Sequence, residues 1–168
     1  MSNSLLVLIV GLPGTGKSTL AKRLADVFDC TVITTEVVRS QLFNENQIME
    51  DRDFTQEELA ITYRAIALLC ENLLAAKARV IVDGVFRSQS ERNRIIDIAQ
   101  KNNAKFIGIH TYSKTDDIVL DRLRRRKQMG TASPAGDKAY YKIKEEFEPV
   151  DPSFLQIDTT QNQEIAEQ

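Results

Sequence analysis

The sequence predicts a three-layer α/β/α fold in which one parallel sheet of about five strands lies between helices. Two observations lead to this fold class. Short apolar runs of strand length recur along the 168 residues, and segments with helical periodicity separate them. Strands that alternate with helices pair in parallel through right-handed crossovers. The carboxyl ends of the strands therefore meet at one edge of the sheet, where a ligand cleft is expected.

The predicted elements follow one another along the chain. The apolar runs that predict strands are residues 5–10, 31–34, 80–83, 106–110 and 154–157. The helical patterns cover residues 18–28, 55–76, 88–101 and 116–127. Thr55-x-x-Glu58 and Ser88-x-x-Glu91 are capping-box sequences, which indicate where two of these helices begin. The apolar residues of the second helix recur at helical spacing and predict a core face. They are Leu59, Tyr63, Ile66, Leu69, Cys70, Leu73 and Leu74.

The composition is that of an ordinary soluble globular protein. The hydrophobic fraction is 42%, the charged fraction is 27%, and the formal net charge is −2. This balance argues against a surface that binds polyanions as a whole, although a local basic patch is compatible with it. The first apolar run is too short to span a bilayer. We therefore expect one cytoplasmic domain over residues 1–168, with no membrane segment.

A phosphate-binding loop is indicated at residues 11–18, which read Gly-x-x-x-x-Gly-Lys-Ser between the first strand and the first helix. In this context, backbone N–H groups at a helix N-terminus bind the phosphates of a nucleoside triphosphate. Lys17 can reach the β- and γ-phosphates, and the Ser18 hydroxyl can ligate Mg²⁺. The predicted nucleotide-binding residues are Gly11, Leu12, Pro13, Gly14, Thr15, Gly16, Lys17, Ser18 and Thr19.

Acidic residues end or follow two of the predicted strands. Asp83 ends the third strand, where it can hold Mg²⁺ or face the acceptor of a phosphoryl group; capping of the next turn is the alternative. Glu36 follows the second strand and lies three residues before Arg39, so both share one face of a short helix. Glu36 can take the proton of an attacking hydroxyl while Arg39 holds the acceptor. A surface helix pair explains the same spacing equally well.

The strongest basic cluster covers residues 122–127. Arg122 and Arg126 lie one turn apart on one helix face, and guanidinium groups can stabilise the charge of a transferring phosphoryl group. A solvated helix end or a nucleic-acid patch is the alternative. The next segment, residues 129–150, contains Gly, Ser and Pro. It predicts either a lid over the cleft, of about residues 122–150 with the basic helix, or a long surface loop.

With these residues in view, the chain resembles the small P-loop kinase family, a group similar to the polynucleotide kinase domain, gluconate kinase and zeta toxins. The resemblance rests on the stretches GLPGTGKSTLAKRLA, TEVVRSQLF, VIVDGVFRSQSERNRI, VLDRLRRR and FEPVDPSFLQIDTT. It implies transfer of the γ-phosphoryl group of ATP to a hydroxyl. It also implies that Asp83 faces the active site and that Arg122 and Arg126 belong to the lid side.

The same resemblance implies that Glu36 occupies the position of an acceptor-activating aspartate. Relatives generally carry Asp-x-x-Arg where this chain has Glu36-x-x-Arg39. The additional methylene moves the carboxylate outward by about 1 Å, a displacement large enough to slow transfer roughly a hundredfold unless the backbone compensates.

The leading hypothesis is an ATP-dependent kinase acting on a hydroxyl of a small molecule or nucleotide, with ATP and Mg²⁺ bound. The candidate catalytic residues are Lys17, Glu36, Arg39, Asp83, Arg122 and Arg126, and the candidate metal ligands are Ser18 and Asp83. One alternative is a 5′-hydroxyl kinase of nucleic acid, against which the acidic balance and the absence of tryptophan count. Another is an NTP-binding regulatory or toxin-like switch. A GTPase switch would be expected to carry Asn-Lys-x-Asp, and the sequence has no such motif.

Overall fold

The computed structural model describes residues 4–43, 54–129 and 136–161. Within these residues one parallel sheet has the strand order β2-β3-β1-β4-β5. The strands are β1 (Leu5–Val10), β2 (Thr31–Thr34), β3 (Arg79–Asp83), β4 (Lys105–Tyr112) and β5 (Leu155–Asp158). The helices are α1 (Lys17–Phe28), α2 (Thr35–Phe43), α3 (Gln56–Ala75), α4 (Gln89–Lys101), α5 (Asp116–Gln128) and α6 (Asp137–Glu146). The predicted parallel sheet is confirmed, and each predicted strand and helix end lies within two residues of its observed position.

The central strand β1 shows how the three layers are built. Successive side chains of a strand point to opposite faces of the sheet. Leu6 and Leu8 accordingly pack in one core cluster with residues of α3 and α4, whereas Val7 and Ile9 pack in a second cluster with Ala21 of α1. Because both faces are covered, β1 is apolar along its whole length, as is typical of a buried parallel strand.

The buried face of α3 follows the predicted pattern with one correction. Leu59, Tyr63 and Ile66 are buried as predicted, as are the remaining members of the set near the helix end, with Leu73 partly buried. The prediction for Leu69 is wrong, because its side chain is 43% exposed. Neighbouring helix residues are about 100° apart. Leu69 therefore lies about 100° around the helix axis from the buried Cys70, outside the buried face of α3.

Both predicted capping boxes are present. The Thr55 hydroxyl accepts a hydrogen bond from the Glu58 backbone N–H (3.1 Å), and the Glu58 carboxylate accepts one from the Thr55 N–H (2.9 Å). Ser88 and Glu91 form the same reciprocal pair at the start of α4. These bonds satisfy backbone donors that a helix N-terminus cannot satisfy by itself. The local signals thus fix where two helices begin.

The segment 129–150 contains a helix, α6, which helical periodicity did not indicate. Tyr140 of α6 is buried in a cluster with Val119, Leu120 and Leu123 of α5. Its hydroxyl donates a hydrogen bond to the Asp116 carboxylate (2.9 Å), which also accepts from Lys144 (2.7 Å). Packing on α5 therefore stabilises α6. Residues 130–135 of the predicted lid lie outside the described residues.

None of the helices in the described ranges is both long enough and apolar enough to span a membrane.

Candidate active site

A cleft lies at the carboxyl edge of β1, β2 and β3. It encloses about 1100 Å³ of empty space, counting the part that is open to solvent. The predicted catalytic and metal-binding residues that line it are Lys17, Ser18, Glu36, Arg39, Asp83 and Arg126. Pro13, Gly14 and Gly16 of the phosphate loop line it as well. Residues that are far apart in sequence are thus brought to one edge of the sheet, as the parallel topology requires.

The phosphate loop connects β1 to the N-terminus of α1. Gly16 precedes the helix with φ of 80°, a left-handed conformation that glycine adopts without a steric penalty. The Lys17 ammonium donates a hydrogen bond to the Leu12 carbonyl oxygen across the loop (2.9 Å). A helix N-terminus presents unpaired N–H groups and a positive partial charge. The loop therefore combines the features of an anion site with a lysine held at its centre.

Several loop side chains point away from the cleft. The Thr15 hydroxyl donates to the Leu12 carbonyl oxygen (2.7 Å) and lies 2.9 Å from the Thr111 hydroxyl of β4. Leu12 packs against the apolar cluster of α5 and α6. Gly11 and Thr19 are buried and do not line the cleft. The side chains of Leu12 and Thr15 therefore hold the shape of the loop. Phosphate binding by these four residues stays a prediction that concerns their backbone N–H groups.

Asp83 ends β3 and is 1% exposed. Burial raises the pKa of its carboxyl group, whereas nearby Lys17 and a hydrogen bond with Ser18 act in the opposite direction. Its Oδ2 atom is buried and has no hydrogen-bond partner among the described residues. An unsatisfied buried carboxylate oxygen next to a hydroxyl suits a hard cation, because Mg²⁺ is bound by oxygen ligands. Ser18 and Asp83 therefore fit the predicted Mg²⁺ site.

Lys17 lies among charges of both signs. Burial lowers the pKa of its ammonium group, the carboxylates of Asp83 and Glu36 raise it, and the guanidinium of Arg126 lowers it further. The two carboxylates and Arg126 thus act electrostatically on one lysine in the same cleft. Lys17 and Asp83 are therefore two groups with perturbed pKa values in one cleft, which is typical of a functional site.

The first turn of α2 is joined to the end of β3. The Thr35 hydroxyl donates a hydrogen bond to the Asp83 carbonyl oxygen (2.9 Å). A Cβ atom on Gly84 would lie 2.0 Å from the Thr35 hydroxyl oxygen, so the close approach requires glycine. The predicted short helix is confirmed, and both Glu36 and Arg39 line the cleft. The Arg39 guanidinium lies 4.0 Å from the centroid of the Phe54 ring.

The structure separates the two arginines predicted to act together. Arg126 lines the cleft, whereas Arg122 is 7% exposed and does not. Arg122 donates to the Thr159 carbonyl oxygen (2.5 Å) and hydroxyl (3.2 Å), and to the Gly14 carbonyl oxygen (3.5 Å). It therefore connects the segment after β5 to the phosphate loop. A direct role of either arginine on the phosphoryl group stays a prediction, and the position of Arg126 is the one that suits it.

Sequence reasoning missed further residues that line the cleft, among them Phe54, Tyr63, Arg87 and Lys142. Arg87 follows Asp83 by four residues, so its position after the same strand was a usable signal. Tyr63 belongs to the predicted core face of α3, where it packs on Phe86 with ring centroids 5.0 Å apart. Lys142 lies in α6, which periodicity did not indicate.

Comparison with known proteins decides the family. A family model described as an AAA domain matches residues 6–150. The chain belongs to this AAA domain family. A relative from Aeropyrum pernix, named "Probable adenylyl-sulfate kinase", is 26% identical over 165 residues, which are 96% of this chain and 87% of that protein. Other curated relatives, from Mycobacterium, are longer, and the match covers only 25% of their length.

Solved structures confirm the P-loop kinase fold of this AAA domain. A provisionally assigned kinase of Chloroflexus aurantiacus superposes with a TM-score of 0.75 at 19% identity, over 95% of this chain and 90% of that one. A gluconokinase of Sinorhizobium meliloti gives a TM-score of 0.69 at 16% identity, over 94% and 83% of the two chains. The resemblance to small P-loop kinases is thereby confirmed.

Proposed function

We propose that this AAA domain protein is an ATP-dependent phosphotransferase that moves the γ-phosphoryl group of ATP to a hydroxyl of a small molecule or nucleotide. One observation carries the proposal. The predicted base, Glu36, lines the same cleft as Lys17, Asp83 and Arg126 and acts electrostatically on Lys17. A carboxylate that lines the same cleft as the phosphate loop can accept the proton of an attacking hydroxyl, which a protein that only binds a triphosphate does not require.

Each group has a distinct task in the proposed reaction. The loop backbone and Lys17 hold the β- and γ-phosphates, and Arg126 stabilises the charge of the transferring group. Mg²⁺, held by Ser18 and Asp83, would neutralise phosphate charge and orient the triphosphate. Glu36 accepts the hydroxyl proton as the acceptor oxygen bonds to the γ-phosphorus. The bond between this phosphorus and the bridging oxygen breaks, and ADP leaves with the electron pair.

Two observations favour a small acceptor. The names of the Aeropyrum and Sinorhizobium proteins specify adenylyl sulfate and gluconate, which are both small molecules. In addition, Arg124 pairs with Asp137, and Arg125 lies 2.9 Å from the Asp121 carboxylate. These ion pairs reduce the basic surface that a nucleic acid would need. The proposal includes the cytoplasmic location predicted from the sequence, where ATP and Mg²⁺ are available.

The experiment is a panel of metabolites and oligonucleotides screened for phosphorylated product and ADP release, with Glu36→Gln as the test variant. Loss of a general base is expected to lower kcat by about 10²- to 10⁴-fold. The affinity for Mg-ATP, measured by calorimetry, should stay the same. Glu57→Gln on the first turn of α3 is the control, because Glu57 is exposed and does not line the cleft.

An unchanged rate in Glu36→Gln removes this residue from the mechanism. Transfer that survives Lys17→Ala at full rate contradicts the whole proposal. ATP turnover that no compound stimulates but that a protein partner accelerates would favour the switch. Phosphorylation of an oligonucleotide end would favour the nucleic-acid kinase.

A further inference from the structure

We infer that the hydroxyl of Tyr63, a residue of α3, donates a hydrogen bond to an oxygen atom of the acceptor and thereby helps to select it. This inference rests on the proposed function, because it names a specificity-determining residue of the same cleft. Tyr63 has no task in the proposed transfer step. Two properties single it out: the residue is only 7% exposed, and it nevertheless lines the cleft.

The Tyr63 side chain is held in place by Phe86. The two ring centroids are 5.0 Å apart, and both residues belong to the same core cluster. The Phe86 backbone N–H donates a hydrogen bond to the Tyr63 hydroxyl oxygen. A tyrosine hydroxyl can donate as well as accept. No residue in the described part of the chain accepts a hydrogen bond from the Tyr63 O–H, so this donor is available to a molecule bound in the cleft.

The backbone of Phe86 has a left-handed conformation, with φ of 47°. A bulky side chain adopts this conformation only against steric strain, and strained residues of this kind cluster at functional sites. The Phe86 ring is 1% exposed, whereas its neighbours Val85 and Arg87 line the cleft. One strained residue therefore fixes the orientation of Tyr63 together with the cleft wall that follows β3.

The charges around Tyr63 separate it from the phosphate loop. The side chains that act on it electrostatically are Glu91, Arg87 and Arg39. None of them is among the charged groups that act on Lys17. Tyr63 therefore lies in the part of the cleft between α2 and the segment after β3. The acceptor of the proposed reaction approaches Glu36 of α2 in this part.

The chemistry of the group suits recognition of an uncharged oxygen. Burial raises the pKa of the Tyr63 hydroxyl above its ordinary value of 10.0, so the group keeps its proton at neutral pH. Phe54 and Leu59 line the same cleft and contribute apolar surface. A site built to hydrogen-bond a substrate oxygen discriminates against the analogue that lacks this oxygen. We therefore expect an acceptor that carries a further hydroxyl, ether or carbonyl oxygen besides the hydroxyl that is phosphorylated.

The first test observes the Tyr63 hydroxyl directly. The chain has four tyrosines, so the ¹³Cζ resonances of the labelled full-length protein can be assigned with single Tyr→Phe variants. Mg-AMPPNP is added to occupy the phosphate loop, and gluconate, adenylyl sulfate and adenosine are titrated in turn. At least one probe should shift the Tyr63 resonance saturably and leave the resonance of Tyr141 in place. If none of the three probes shifts the Tyr63 resonance, the inference is overturned.

The second test measures the affinity for the probe that shifts the resonance. Tyr63→Phe should weaken its binding about fivefold, as expected for the loss of one neutral hydrogen bond. Tyr141→Phe is the matched control, because it removes the same hydroxyl from an exposed residue that does not line the cleft. Phenylalanine keeps the ring that packs on Phe86, so a purely structural role would alter unfolding and leave the affinity unchanged. Equal affinity of Tyr63→Phe and the wild type in calorimetry also overturns the inference.

Binding and phosphoryl transfer are measured separately, so the inference and the proposed function can fail independently. A probe that shifts the Tyr63 resonance but receives no phosphoryl group contradicts the proposed function alone. A compound that is phosphorylated without any shift of this resonance contradicts the inference alone. For a phosphorylated compound, Tyr63→Phe should raise the acceptor KM about fivefold and leave kcat nearly unchanged. A fall in kcat with an unchanged KM would contradict a role in selecting the acceptor.

Discussion

The Thr35 hydroxyl donates a hydrogen bond to the Asp83 carbonyl oxygen over 2.9 Å, and this bond joins the two sides of the proposed active site. Thr35 begins α2 and is followed directly by the proposed base, Glu36. Asp83 ends β3 and is the proposed metal ligand. Both Thr35 and Asp83 are buried. The spacing between base and metal ligand is therefore set by a side chain that takes no part in the chemistry.

Thr35→Val should lower kcat more than it lowers the affinity for Mg-ATP. Valine keeps the shape of threonine but cannot donate the hydrogen bond, so the start of α2 is no longer tied to β3. A displacement of about 1 Å is enough to cost roughly a hundredfold in rate. The free energy of unfolding should fall by about 1–3 kcal/mol, since a buried acceptor loses its donor. Steady-state kinetics, calorimetry and denaturant unfolding measure the three quantities.

Ser40→Ala is the control for Thr35→Val, because the Ser40 hydroxyl forms a local hydrogen bond to Val37 within the same helix (2.8 Å). It should leave kcat unchanged. Equal losses of kcat and Mg-ATP affinity in Thr35→Val would contradict the positioning role.

Gly84→Ala should act on the same contact by overpacking. The new Cβ would lie 2.0 Å from the Thr35 hydroxyl oxygen, which must then move. A loss of about 1–3 kcal/mol in the free energy of unfolding is expected. Thr35→Ala removes the clashing atom, so the double variant should lose less stability than the sum of the single variants. Additive losses, measured by urea unfolding, would show that the two residues do not meet in solution.

The parallel sheet was predictable because hydrophobic runs and capping boxes are local signals. Strand and helix ends such as those of β1 and α4 follow from residues next to them in sequence. The phosphate loop was predictable for the same reason, since its pattern and both flanks lie within a short stretch. Glu36 and Arg39 were placed correctly in the cleft because the residues that come directly after each strand of a parallel sheet gather at its carboxyl edge.

The rest of the site depends on contacts between distant elements, which one sequence does not display. Helix α6 is held by Tyr140 on α5, and its residue Lys142 reaches the cleft only through that packing. Arg122 and Arg126 are both arginines and lie one helical turn apart, so the local sequence does not distinguish them. Their different positions relative to the cleft reflect the segment after β5, whose Thr159 accepts hydrogen bonds from Arg122.

Arg122 and Arg126 should give opposite patterns when substituted. Arg122→Met removes a buried guanidinium that connects Thr159 to the phosphate loop, and the free energy of unfolding should fall by about 2–3 kcal/mol. The affinity of the Arg122→Met variant for ATP should fall as well. Arg126→Met should leave stability nearly unchanged and lower kcat by about 10³-fold, the lower end for an arginine that stabilises phosphoryl charge.

Denaturant unfolding, ATP titration and kcat at saturating ATP test this pair. Arg124→Met on the exposed side of α5 is the control and should change none of them by more than a small factor. A larger effect on kcat in Arg122→Met than in Arg126→Met would reverse the assignment.

Asp83→Asn should raise the stability of the metal-free protein and should reduce the stabilisation that Mg-ATP provides. Burial raises the Asp83 pKa, so the folded state disfavours the carboxylate, and a neutral side chain of the same shape removes that cost. In EDTA the variant should therefore unfold at a higher temperature than the wild type. Mg-ATP at a hundredfold excess over its Kd should stabilise the wild type by about 2.7 kcal/mol and the variant by much less. Asp97→Asn, on the exposed side of α4, is the control; an equal response to Mg-ATP in Asp83→Asn contradicts metal binding.

Asp116→Asn should destabilise the α5–α6 pair in a pH-dependent manner. A hydrogen bond from Lys144, the larger contribution, and one from Tyr140 hold the Asp116 pKa below its ordinary value of 3.8. A lowered carboxyl pKa gives stability that is present above that value and disappears as pH falls through the lower, folded-state pKa. The side chains of Lys144 and Asp116 are 45% and 32% exposed and solvent screens the pair, so the loss at pH 7 should be about 0.5–1 kcal/mol. Thermal unfolding from pH 7 to pH 2 should show the variant and the wild type converging below pH 4.

The control is Asp117→Asn, which changes an exposed residue in the same helical turn and should follow the wild type. A difference between Asp116→Asn and the wild type that persists unchanged at pH 2 would contradict this account.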